Sequence, residues 1–238
     1  MHGIAADPAR LVGGEERYHI GNVVRPGQML QRLNAESIVA AHLTGQEVDW
    51  LPRATSLLRD ELASIEIRVS SDHSATLANE LVQGKLDIAF LRAERIPDIE
   101  IKIIAKEPLV AILPSDHRLA HDKTVDVRHF IGEIYIGIST VPRVLRAAIA
   151  DYFTKHGIEL TPSYEIDNYA MAVSLVASTR GVALLPASAR HFLPWSVVSR
   201  PLRGEAATID VAVGYHKANA SPILERFLSR IDNLTATL

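Results

Sequence analysis

Ser174–Pro186, SLVASTRGVALLP, joins the last turns of a helix to a short, wholly apolar segment that a proline stops. Upstream, Met171, Val173, Leu175 and Val176 recur at near-helical spacing, and Asp167 and Asn168 stand where N-caps belong. Arg180 suits the negative helix end, and Gly181 is the expected left-handed residue at C′. VALL is too short for a helix and apolar throughout, as a strand covered on both faces must be. The stretch therefore reads as one helix-to-parallel-strand step of an α/β sheet.

The same step recurs on either side. SIVAAHL (37–43), LPRATSLLRDEL (51–62), IEIRVS (65–70), ATLANELVQG (75–84) and LDIAFL (86–91) alternate strand and helix, with Pro52 in the first turn of its helix and Gly84 closing the next. A second series follows from EIYIGIS (133–139) through the helix VPRVLRAAIADYFTKHG (141–157), YEI and the helix near 169–179 to VALLP. Right-handed crossovers then give two parallel sheets. Two long extended stretches, around VAILP and DVAVGY, are expected to join them into a bilobal α/β protein of two Rossmann-like lobes. In such sheets ligands sit beyond the carboxyl ends of the strands, where helix starts converge. Seven glycines and prolines interrupt residues 1–34, which read as a poorly ordered leader.

Composition narrows the function. The 238 residues carry 25 Lys and Arg against 28 Asp and Glu, a formal charge of −3, with no basic stripe to grip phosphates. No direct DNA binding by this chain alone is expected. Cysteine is absent, which excludes disulfides and thiolate metal sites. No apolar run approaches the ~20 residues of a membrane span, and the first residues lack a secretory pattern, so a cytoplasmic protein without membrane contact is expected. No nucleophile–base–orienter set, phosphate loop or dinucleotide fingerprint emerges, so the expectation is a non-enzyme with no cofactor. His117 and His121 have the i, i+4 spacing of a metal pair but sit in a turn after Pro114, and no metal is expected there.

Four strand ends should face a cleft. They supply Thr44, Gly45 and Gln46; Ser71, His73 and Ser74; Ser139 and Thr140; and Asp167 and Asn168. Hydroxyls, amides and helix-start N–H groups suit a small anion, and the same residue types also cap helices. His73, if protonated, adds a partner for an acidic ligand. Met171 and Leu175 are expected in the core.

LDIAFLRAE, EPLVAILPSDHRLA, DNYAMAVSLVASTRGVALLPAS and SPILERFLSRID resemble, in order and spacing over about 38–236, the effector-binding domain of LysR-type transcriptional regulators. That resemblance implies the type 2 periplasmic-binding-protein fold. One lobe would comprise 36–112 plus 212–238 and the other 113–211. It also implies a small effector, carboxylate or aromatic acid, held by strand-end hydroxyls between the lobes. Side-by-side homodimers or tetramers follow as well, with the 51–62 helix, Leu58 included, meeting a second-lobe helix of another copy. Residues 1–34, with their glycines and prolines, are not expected to form the family's winged helix-turn-helix. Two other readings stand beside a regulator's sensor: a solute-binding protein of a transporter, and a truncated dimerising regulator without its own DNA binding.

Overall fold

The computed structural model describes residues 37–43, 47–59 and 65–235; the leader and Thr44, Gly45 and Gln46 lie outside the described residues. In chain order the first unit comprises β1 (Ser37–Leu43), α1 (Glu47–Leu57), β2 (Glu66–Asp72), α2 (Ser74–Val82) and β3 (Ile88–Arg92). The long strand β4 (Ile99–Pro114) leads into β5 (Tyr135–Ile138), α3 (Arg143–Lys155), β6 (Tyr164–Ile166), α4 (Tyr169–Thr179), β7 (Val182–Pro186) and β8 (Val197–Pro201). The chain closes with β9 (Thr208–His216), α5 (Pro222–Arg230) and α6 (Asp232–Thr235).

The strands follow one path, β2-β1-β3-β9-β4-β7-β5-β6, with β8 also paired to β4. Within it β1 runs parallel to β2 and β3, and β5 runs parallel to β6 and β7, as the two βα series require. β4 belongs to both halves. Up to Pro108 it pairs antiparallel with β9, and from Leu109 it pairs antiparallel with β7 and β8. β9 enters opposite Pro108 at Thr208, and its Ile209 is buried in the core of the second half, so both chain crossings lie at this one level.

The pleat of each strand decides what each residue packs against, because alternate side chains leave on opposite faces. In β3, Ile88 and Phe90 join a layer with Leu58 of the α1 end and Leu224 and Phe227 of α5. Ala89 and Leu91 face Leu77 and Leu81 of α2. Phe90 and Phe227 meet edge-on, ring centroids 6.4 Å apart, a favoured aromatic geometry. Leu58 therefore points into its own lobe, 3% exposed, and is not a surface residue of a dimer contact as the sequence suggested.

The opening stretch folds as read, with one exchange of roles. Helix α4 ends and β7 is buried at every position. The left-handed residue is Arg180 (φ 59°), not Gly181. Glycine is needed at 181 for space, since a Cβ there would stand 2.6 Å from the Ile134 carbonyl oxygen. At the surface, the Arg180 side chain pairs with Asp116 at 2.9 Å. Met171, expected in the core, is 47% exposed, whereas Leu175 packs against the core.

Candidate functional site

Three helix starts converge on a cleft between the halves. Its walls are His73, Ser74 and Ala75 at the start of α2, the segment from Val141 to Leu145 at the start of α3, and Asp167 and Tyr169 at the start of α4. The end of β3 supplies Arg92 and Glu94. The unfilled space amounts to some 480 Å³, part of it open solvent. Neither α2 nor α3 has a side-chain cap: His73 and Pro142 occupy the N-cap positions without one. Both helices thus present first-turn N–H groups and a positive dipole end to the cleft.

At its base lies a buried polar junction. The Arg92 guanidinium, 3% exposed, donates to Glu107 Oε2 at 3.0 Å and to the Tyr169 hydroxyl at 3.0 Å. Glu107 Oε1 in turn accepts from the Ser188 backbone N–H at 2.7 Å. Burial by itself pulls the Arg92 guanidinium down, but Tyr169 and Glu107 outweigh it and hold the group above its ordinary value. One arginine at the end of a first-lobe strand thereby ties β3, the shared strand β4 and the start of α4. At the mouth, Arg143 Nη2 donates to Glu94 Oε2 at 3.3 Å, again from one side of the cleft to the other.

The expected residues divide between lining and scaffold. His73, Ser74 and Asp167 line the cleft. Ser74 also accepts the Arg92 backbone N–H at 3.1 Å, fixing α2 against β3. Ser71, Ser139, Thr140 and Asn168 are not among the lining residues. Asn168 caps α4 by accepting from the Met171 N–H at 2.8 Å, and Ser139 accepts from Val141 N–H at 3.4 Å. Sequence reasoning passed over Arg92, Glu94, Arg143 and Tyr169. A signal for the first was present, because an arginine ending a fully apolar strand must find a buried partner. Both ring nitrogens of His117 are turned to protein partners: Nδ1 accepts from Leu119 N–H at 3.2 Å, and Nε2 faces Glu133 at 3.3 Å.

Residues 37–235 match the LysR substrate binding domain. The chain belongs to that family. Among curated relatives, the Hca operon transcriptional activator HcaR of Escherichia coli K12 is 25% identical over 81% of this chain. The transcriptional regulator CatR of Pseudomonas putida is 31% identical over 74%. The chain spans 66% and 62% of the lengths of these regulators. Solved LysR-family structures share the fold. The BenM effector-binding domain with its effector benzoate superposes with a TM-score of 0.73 at 22% identity, covering 85% of this chain and 93% of that one. The effector-binding domain of QuiR with shikimate gives 0.74 at 19% identity, covering 84% and 97%. The bilobal, type 2 periplasmic-binding-protein-like architecture expected from the sequence is thus the architecture of the chain. Among the described residues no helix is long and apolar enough to cross a membrane.

Proposed function

We propose that this chain is the ligand-sensing part of a LysR-type transcriptional regulator, working in the cytoplasm and binding a small acid with an apolar body between its lobes. The observation that carries the reading is the pair of uncapped helix starts, α2 and α3, facing one cleft from opposite sides with Arg143 beside them. Such starts stabilise a carboxylate through N–H donors and dipole. The apolar body would lie against Ala75, Val141, Val144 and Leu145. Support also comes from the relatives, which are transcriptional regulators, and from two neighbours of the same fold that hold benzoate and shikimate.

Sensing requires that the ligand bind one lobe arrangement better than another, because equal affinity for both shifts nothing. In this reading the lobes are 36–112 plus 212–238 and 113–211, and the change of strand partners at Pro108/Leu109 favours a boundary a few residues earlier. The sensor works as a homodimer or tetramer, without direct DNA contact by residues 1–238. Of the candidate contacts outside the lining, Asn168 and Ser139 hold backbone N–H groups at or just ahead of the starts of α4 and α3, and Thr44, Gly45, Gln46, Ser71 and Thr140 are proposed as effector contacts in their own right.

A thermal-shift screen against benzoate, cinnamate, salicylate, shikimate and sulfate tests this. A ligand at 100 times its Kd adds about 2.7 kcal/mol, a shift of several degrees at this size. The shift should vanish in Arg143→Gln. No shift from any acid, or one that survives Arg143→Gln unchanged, removes the cleft as the sensor site.

A further inference from the structure

The cleft carries a charge pattern that bears on which acids it accepts. Glu94, just beyond β3, and Arg143, the first residue of α3, pair across the mouth from opposite lobes. Both remain partly open to solvent, Glu94 at 31% and Arg143 at 69% exposure. A single N···O contact of 3.3 Å leaves the guanidinium with N–H donors for another acceptor. The other lining cation, Arg92, is committed inside to Glu107 and Tyr169. Among the described lining residues the formal charges cancel, Arg92 and Arg143 against Glu94 and Asp167.

A first carboxylate can join or displace Glu94 at Arg143 and take the N–H groups of the uncapped helix starts. A second carboxylate on the same ligand meets a different field. Both lining arginines are then engaged, and two protein carboxylates stand close by, Glu94 from one lobe and Asp167 from the other. Repulsion between like charges in a partly desolvated cleft is several times stronger than in water. The apolar walls at Val141, Val144 and Leu145 offer that second charge no compensating donor from their side chains.

Resting on the reading of the cleft given above, we propose that Glu94 is a specificity-determining residue. By holding Arg143 from the opposite lobe, and with Asp167 lining the same cleft, Glu94 restricts the cleft to ligands that carry one anionic group on an apolar body. Dicarboxylates of the same shape are turned away by charge, not by size.

The test is titration calorimetry at pH 8, above the range in which histidines usually titrate. Matched ligands are benzoate against terephthalate, and cyclohexanecarboxylate against cyclohexane-1,4-dicarboxylate. The unmodified chain should bind each monoacid at least tenfold more tightly than its diacid. Glu94→Gln should narrow that ratio by tenfold or more, Asp167→Asn should move it in the same direction, and Arg143→Gln should abolish binding of both classes. Equal affinity for monoacid and diacid in the unmodified chain overturns the proposal, as does a ratio unchanged in both Glu94→Gln and Asp167→Asn. Binding of neither class by any of these proteins overturns the reading of the cleft itself, and the proposal with it.

Discussion

β7 and β2 occupy comparable places, each the strand of a βα series laid parallel beside a neighbour, yet they live in opposite environments. All five residues of β7 are buried between β4 and β5. Among the described residues β2 pairs only with β1, its residues are exposed or half-buried, and Val69 is 45% accessible. Position in the sheet makes the difference: an interior strand is covered on both faces and both edges, an edge strand is not. An open edge with charged ends, Glu66 and Arg68 paired at 2.8 Å, protects itself against stray strand pairing. Packing is therefore concentrated in the interior strands, β3 in one half and β7 in the other, whereas the rim around β2 takes little part in it.

The largest effect is expected where the two regions are tied together. Arg92→Ala removes the cation from a buried pair and leaves Glu107 without it, which costs about 3–5 kcal/mol in urea unfolding. A loss below about 1 kcal/mol would mean that the junction contributes nothing to holding the lobes. Next comes the comparison itself. Leu184→Ala in the middle of β7, fully buried, should cost about 2–5 kcal/mol. Val69→Ala on β2 should stay within about 0.5 kcal/mol. Similar costs at the two sites would erase the contrast. A third measurement probes the turn into β7: Gly181→Ala forces a methyl against the Ile134 carbonyl and should cost about 1–3 kcal/mol, although alanine is ordinarily the better residue for the unfolded-state entropy.

The smallest effect depends on pH. Burial pushes the Glu133 carboxyl up, but hydrogen bonds and charge from Arg118 and His117 outweigh it and hold it below its ordinary 4.5. A lowered folded-state value means that Glu133 contributes stability above the unfolded value and loses it as pH falls through the folded one. Glu133→Gln should thus be less stable than the unmodified chain at pH 7, by at most about 1 kcal/mol, with the gap closing as the pH is taken well below 4.5. A gap that widens on acidification would reverse the assignment.

What could be read in advance followed from local chemistry. Apolar runs announced β3 and β7, and glycine and proline announced their ends. Gly84 has the positive φ (64°) that a helix-closing glycine supplies. Asn168 was legible as a cap because its partner, Met171, is three residues away. The cleft's own machinery was not. Arg92 meets Glu107 and Tyr169 across 15 and 77 residues, and Arg143 meets Glu94 across 49. Nothing at those positions marks a partner so far off. Leu58 and Met171 failed for a related reason: periodicity says that a helix has an apolar face, but the neighbouring elements decide which residues that face covers. At Arg180 and Gly181 the motif was right and the roles were exchanged, because the backbone around 181 requires the smallest residue and the left-handed position falls to Arg180.

The late strand β9 has a consequence for how the protein is made. β9 fills the gap between β3 and β4, so the first sheet lacks a strand until residue 216 has left the ribosome. The strands of the second half, from Leu109 of β4 to Pro201 of β8, are contiguous in sequence and are all present sooner. On a vectorially synthesised chain the half that is started later is the half that can be finished first. β3, apolar along its first four residues and buried throughout in the finished fold, must wait for the C-terminal segment to cover its β9 edge, and for that interval it is a stretch of the nascent chain that a chaperone would shield.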